Sequence, residues 1–483
     1  MPDIAFRSAT ELARQIRAKE IGCVELLDYF LARVQKYNPA VNAIIVKDFD
    51  RARERAVKAD AAVVGGDDLG PLHGVPMTIK EAFDIEGTPT TWGFPAFKDN
   101  IATSNAVAVD RLLGAGAIIF GKTNVPPGLM DAQSANDIYG RTNNPWDLSR
   151  TPGGSSGGAA AALAAGLTGL ELGSDIASSI RNPAHFCGVF GHKPTYGICP
   201  LSGHSLAPTI QETDIAVIGP LARSAADLEL TLSIVAGPDG MDARGYALSL
   251  QPSRKAFHDF RVALVSDDEF AEVDSEVSSQ ISALGDFLER EGISVARNTR
   301  PAFDSQELYA LYMVLLRAAM AGAASDEEFA EYRNIAGDAN HTSRDMERLN
   351  AYGVTLSHRD WLRLDEERQS YRMRWAQFFE GCDVLLCPPL SSAAFAHTPG
   401  SPQNRILTVN GRQVPFENQL FWAGYGGACY LPATVAPAGV TQGGLPVGVQ
   451  IIGPQYGDLA CIRFAKFLEE HYRAFVPPPG YDH

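Results

Sequence analysis

The chain has 483 residues, 45% of them hydrophobic and 20% charged, with 57 acidic against 41 basic side chains. That size and balance suit a large globular core, and the formal net charge of −16 argues against general binding to nucleic acid or an anionic membrane surface. Seven cysteines lie scattered at 23, 187, 199, 382, 387, 429 and 461 with no CxxC pair, so no disulfide framework or zinc site is read and a reducing, cytoplasmic setting is expected.

The amino-terminal segment lacks the apolar stretch of a secretory signal. Ser8 and Glu11 form a capping-box pattern ahead of Leu12 and Ile16, which predicts a first helix. A second helix carries Val24, Leu27, Leu31 and Val34 on one face and ends near Asn38-Pro39. After a glycine-rich loop at 65–74, Val75 to Ile79 reads as a buried strand. AIIFGKTNV at 117–125 reads as a strand parallel to it, with helical spacing in the intervening VAVDRLLGAGA. Residues 159–167 read as helix, and LTGLELGSD returns to a short strand and a turn. Helix (SAADLELTLSIVAG), strand (FRVALVSDD), amphipathic helix (SSQISALGDFLEREG) and strand (ISVARN) follow. Residues 301–380 are mostly helical and rich in charge, while CDVLLCPP, ATVAPAG and VGVQIIG are apolar, β-rich and bounded by Pro and Gly. No apolar run reaches the roughly 18 residues of a membrane-spanning helix. The expected fold is one large mixed α/β domain over 1–483, with its core at about 60–235 and 380–460 and a substrate-facing helical region at 301–380.

TPGGSSGGAAAALAAGL, residues 151–167, sets Ser155 and Ser156 between two glycine pairs ahead of an alanine-rich helix. Such glycine density marks backbone that a Cβ would obstruct. A phosphate-cradling P-loop is disfavoured, because alanines follow Gly158 where Lys and Ser or Thr are required, and 153–158 does not supply G-x-G-x-x-G. Gly153 to Gly157 formally matches the hydrolase elbow G-x-S-x-G, but that turn must leave a buried strand. The preceding NNPWDLSRTP is polar and turn-forming, and none of the ten histidines stands in a context that marks it as a base.

A second serine turn, Ser178-Ser179, ends the strand-like segment that begins at 170. A helix and a strand join the two turns, an arrangement that can bring their hydroxyls together. A serine nucleophile needs a base. Lys80 closes the apolar run Val75 to Ile79, and burial there would lower its pKa from about 10.4; a drop of ~3 units corresponds to roughly 4 kcal/mol. Isolated serines commonly only form turns and most lysines only face water, so the pattern has force only in combination.

GGSSGG at 153–158, GSDIASSIRNPA at 173–184 and VPMTIKEAFD at 75–84 together resemble the amidase signature enzymes. GKTN at 121–124, TNNPWD at 142–147 and GLPVGVQIIG at 444–453 extend the likeness over most of the chain, most weakly between about 240 and 380. The resemblance implies a Ser–cis-Ser–Lys triad, with Ser179 as nucleophile, Ser155 as the bridging serine after a cis peptide bond and Lys80 as the base. It also implies an oxyanion hole from the backbone N–H groups of Ile176, Ala177, Ser178 and Ser179, with Asp175 and Arg181 bracing the loop. The implied activity is hydrolysis of carboxylic amides through an acyl-serine, extending to aryl amides, esters or carbamates, without metal or cofactor. The implied partner is a small-molecule amide, with no nucleic acid and no membrane; a homo-oligomer stays open. The alternative in the same family is the glutamine-hydrolysing catalytic subunit of a tRNA-dependent amidotransferase. Two positions depart from the family pattern: Ala177-Ser178 replace Gly-Gly before the nucleophile, and Glu81 replaces aspartate. Positive φ at either of the first two would strain the loop.

Overall fold

Short β-branched runs, cut by glycine and proline, build a mixed eight-stranded sheet in the order Ser294–Arg297, Arg261–Leu264, Val384–Cys387, Pro446–Ile452, Ala433–Val440, Phe190–Lys193, Val217–Ala222, Glu171–Asp175. The first three strands run parallel, and every other neighbouring pair is antiparallel. Helices cover the sheet and complete one large α/β domain. The computed structural model describes residues 4–482 except 68, 207 and 208, so the first three residues and one position of the 65–74 loop lie outside it.

A smaller sheet carries the first functional segment. Pro76–Lys80 runs parallel to Ile118–Thr123, and Ile44–Lys47 pairs antiparallel on the latter's other edge. All five residues of Pro76–Lys80 are buried, which explains a nearly continuous apolar run. Thr78 N–H donates to Thr168 Oγ1 at 2.9 Å and Gly169 N–H to the Pro76 carbonyl at 3.1 Å. These bonds stitch the small sheet to the edge of the large one and bring Lys80 beside Glu171–Asp175.

The alanine run becomes the helix Gly157–Ala164, buried along its whole length. Its small side chains let it pack among the Arg181–Cys187 helix and both sheets. A Cβ on Gly158 would fall on the Asn124 backbone, so the glycine is there for close approach.

Three details differ from the sequence expectations. The Ser8 hydroxyl caps Ala9–Arg17 by accepting from Glu11 N–H at 3.1 Å, but the Glu11 carboxylate pairs with Arg14 instead of reaching back. The second helix runs on through Pro39 to Val41 and ends on Asn42 in the left-handed region, φ 51°. Strands at Ile44–Lys47, Phe190–Lys193 and Val217–Ala222 have no counterpart in the sequence reading. Among the described residues no helix is long and apolar enough to cross a membrane.

Candidate active site

Lys80 ends its strand with no solvent exposure. Its Nζ lies 2.6 Å from Ser155 Oγ, 2.8 Å from Ser174 Oγ and 3.4 Å from the Ser174 carbonyl. Burial lowers its pKa from the usual lysine range to about 7, with the Asp175 charge pulling the other way. A neutral amine has two N–H groups and one lone pair. The two N–H groups can serve Ser174 while the lone pair receives the Ser155 O–H, which accounts for all three contacts. Next to Lys80, the Glu81 carboxylate accepts from Thr91 N–H at 2.6 Å and Trp92 N–H at 3.0 Å, so the residue that departs from the family pattern organises a loop.

The two serine turns are tied together by backbone and by Asn182. The Gly154–Ser155 peptide is cis. Ser156 N–H donates to the Ser179 carbonyl at 3.1 Å, and Gly154 N–H to Asn182 Oδ1 at 3.0 Å. The Asn182 side-chain amide donates in turn to the Gly154 carbonyl and, at 2.8 Å, to the Ser178 carbonyl. Gly153 has φ +90°, and a Cβ there would come within 2.5 Å of Asn182 Oδ1, so this clasp requires glycine. Asn182 and Ser174 both fall within the quoted family motif but carry no signal of their own in the sequence. Tyr312, whose hydroxyl donates to the Ile176 carbonyl at 3.1 Å, has no sequence signal at all.

Asp175 holds the loop before Ser179. Its carboxylate accepts from Ser178 N–H at 2.9 Å, Ile180 N–H at 3.0 Å, and Arg181 Nε and Nη2 at 3.0 and 2.9 Å. Burial pushes this carboxyl up, but Arg181 and the backbone donors more than offset it and hold its pKa at about 2. Asp175 and Arg181 thus grip the loop, and one of the four N–H groups expected in the oxyanion hole is already engaged within it. Ser178 N–H is engaged by the Asp175 carboxylate and is not free to serve an oxyanion. The N–H groups of Ile176, Ala177 and Ser179 have no hydrogen-bond acceptor among the described residues.

Ser178 is the position where the Gly-Gly departure has a structural cost. It has φ +80°, whereas Ala177 does not have positive φ, and its buried Oγ has no hydrogen-bond partner. A left-handed non-glycine residue costs about 1–2 kcal/mol, and a buried unsatisfied hydroxyl adds about 1–3 kcal/mol. Ser178→Gly is therefore expected to stabilise the fold by about 1–2 kcal/mol once glycine's extra unfolded-state entropy is deducted. Urea unfolding of both proteins measures this, and a less stable variant would refute it.

Gly154, Ile176, Ala177 and Ser179 line one cleft of about 730 Å³, a size suited to a small organic ligand. Ser305–Met320 supplies Leu316, Arg317 and Met320 to its wall, and Leu390, Phe416 and Leu420 come from the carboxy-terminal third. Among the described residues no group of three or more His, Cys, Asp or Glu side chains could hold a metal ion, and no histidine hydrogen-bonds to Ser155 or Ser179.

A buried lysine of lowered pKa thus contacts one serine turn, which backbone and Asn182 clasp to a second beside backbone N–H groups left without acceptors among the described residues. Residues 25–462 match the Amidase family, and the chain belongs to it. It is 35% identical to an acylamidase of Rhodococcus erythropolis over 97% of this chain and 96% of that one. It is 32% identical to a subunit of the glutamyl-tRNA(Gln) amidotransferase of Anaeromyxobacter dehalogenans, over 97% of each chain. A solved bacterial aryl acylamidase of the amidase signature family superposes with a TM-score of 0.81 at 22% identity, over 97% of this chain and 96% of that one, which is a likeness of fold. The chain is an amide hydrolase acting on carbon–nitrogen bonds other than peptide bonds.

Proposed function

We propose that Ser179 is the nucleophile, Ser155 the proton bridge and Lys80 the base of an acyl-enzyme amidase whose substrate is a small-molecule amide. The observation that carries this reading is the 2.6 Å contact between Ser155 Oγ and a fully buried Lys80 whose pKa lies at about 7. Neutral Lys80 takes the Ser155 proton as Ser155 takes that of Ser179, and Ser179 Oγ adds to the amide carbon. The developing oxyanion meets the N–H groups of Ile176, Ala177 and Ser179, donors already fixed before reaction, each worth several kcal/mol at most. As the C–N bond breaks, the proton returns through Ser155 to the leaving nitrogen. Water, activated by the same relay, then releases the acid from Ser179.

Within the helical region 301–380, the Ser305–Met320 helix is the part we assign to the substrate-facing wall, because it supplies cleft residues. Seven free cysteines suit a reducing, cytoplasmic setting. The amidotransferase reading is supported by the likeness to the Anaeromyxobacter protein, but an acidic chain of net charge −16 offers little to a tRNA. The test is acid-quenched peptide mapping of the purified chain alone with an anilide, and separately with glutamine. Amine release with an acyl adduct on the peptide holding Ser179 is expected from the anilide. Turnover with the adduct elsewhere overturns the residue roles, and turnover of glutamine alone favours the amidotransferase.

A further inference from the structure

Where the Ser305–Met320 helix meets Phe416 and Leu420, the cleft wall carries one ion pair among apolar side chains. Arg317 Nη2 lies 2.8 Å from Glu417 Oε1, and the two side chains are only 16% and 10% exposed. Asn350 closes the pair into a triangle: its Nδ2 donates to Glu417 Oε1 at 2.9 Å, and Arg317 Nε donates to its Oδ1 at 3.0 Å. The Tyr309 hydroxyl fixes the backbone beneath by donating to the Glu417 carbonyl at 2.7 Å. Leu316 and Phe416 adjoin the two charges in sequence, and Met320 and Leu420 line the same cleft.

Asp131, which also lines the cleft, is neutralised in the same way by a partner behind it. Asp131 grips both Nη atoms of Arg405 at 2.5 and 2.7 Å, and Arg405 lies over the rings of Phe395 and Phe416. Asp137 and Arg141 line the cleft too, but both are exposed, where water screens them. A charged substrate group entering this wall would lose its hydration and find every buried counter-charge already hydrogen-bonded. Taking an ion out of water without a partner costs several kcal/mol. An uncharged hydrocarbon group has no such hydration to lose and is stabilised by each methylene it buries there.

We propose that the Arg317–Glu417 pair is a specificity determinant that makes this amidase select uncharged amides, and that breaking the pair from one side admits substrates of the charge it then lacks. This rests on the amide-hydrolase reading and adds the substrate class. The wall holds equal and opposite charges, so its selectivity is lost in opposite directions when either is removed. Glu417→Gln keeps an oxygen for Asn350 and Arg317 but leaves the guanidinium unbalanced, favouring an anion. Arg317→Gln leaves the carboxylate unbalanced, favouring a cation.

The test uses three amides of matched length: hexanamide, ω-aminohexanamide and adipic monoamide, with glutamine as a fourth. For the unaltered protein, kcat/KM for hexanamide is expected to exceed that for each charged amide and for glutamine by about 100-fold or more, consistent with a several-kcal/mol desolvation cost. Glu417→Gln is expected to raise the adipic monoamide to hexanamide ratio about tenfold, and Arg317→Gln the ω-aminohexanamide to hexanamide ratio by a similar factor. Ratios within one protein sample do not depend on how much of a variant folds. Charged amides or glutamine turned over as well as hexanamide overturn the proposal, as do variants whose ratios stay at the unaltered protein's values. Failure to release ammonia from all four tells against amide hydrolysis itself.

Discussion

Ser179→Ala is expected to lower kcat/KM for an anilide by about four to six orders of magnitude, the scale seen when a serine hydrolase loses its nucleophile. The residual rate would come from the oxyanion donors and from substrate positioning, which the substitution leaves alone. In the proposed mechanism Ser179 shares its proton path with Ser155 and Lys80, so losses at the three are expected not to add. The double variant Ser155→Ala/Ser179→Ala is expected to be no slower than Ser179→Ala by more than a few-fold. Ser156 is the control within the glycine-flanked pair. Its hydroxyl donates to the Ser174 carbonyl at 3.2 Å and makes no contact with Lys80, so Ser156→Ala is expected to cost far less. Steady-state kinetics on the four proteins decides the matter. Activity of Ser179→Ala within a hundredfold of the unaltered protein would remove it from the nucleophile role.

How much of the site is legible in the sequence depends on the range of the interactions. The burial of Lys80 is legible because five consecutive residues, Val75 to Ile79, leave a strand no face for water. The parallel pairing of that strand with Ile118–Thr123 follows from the helical spacing between them. Phe190–Lys193 and Val217–Ala222 escape notice for a physical reason: FGHK and VIGPLA carry the charged, glycine and proline residues that ordinarily break strands. In the fold both are buried interior strands, paired with each other and, on their outer edges, with Ala433–Val440 and Glu171–Asp175. The roles of Ser155 and Ser179 come from family resemblance, since spacing alone allows either turn to hold the nucleophile. Asn182 and Tyr312 act across 28 and 136 positions, distances over which no local periodicity carries information. The oxyanion loop shows the limit most clearly. The resemblance points to four residues of this loop, but only the Asp175 carboxylate determines which of their N–H groups are left free.

Lys80→Met is expected to abolish the pH dependence of the reaction along with nearly all of its rate, and to make the protein more stable. With a pKa of about 7, Lys80 is neutral on the alkaline side, so kcat/KM of the unaltered protein rises with pH through one ionisation near 7 and then levels off. A lysine left at its ordinary value of 10.5 would still be climbing at pH 9. The stability effect follows from the same shift. Between pH 7 and 10.5 the unfolded chain binds a proton that the folded chain does not, so folding stability contributed by this group increases with pH across that window. Near pH 7 the folded protein therefore bears a penalty of up to about 4 kcal/mol for holding the amine neutral. Methionine fills similar volume with no charge to desolvate, and it forfeits hydrogen bonds to Ser155 and Ser174 worth about 1 kcal/mol each. The balance predicts a Tm for Lys80→Met a few degrees above the unaltered protein at pH 7, with the gap closing as pH approaches 10. A merely structural lysine would show the opposite: loss of activity accompanied by loss of stability, and no change in pH profile on conservative replacement. An inactive variant with a raised Tm separates the base from the scaffold, because only a residue kept for its chemistry is destabilising where it stands.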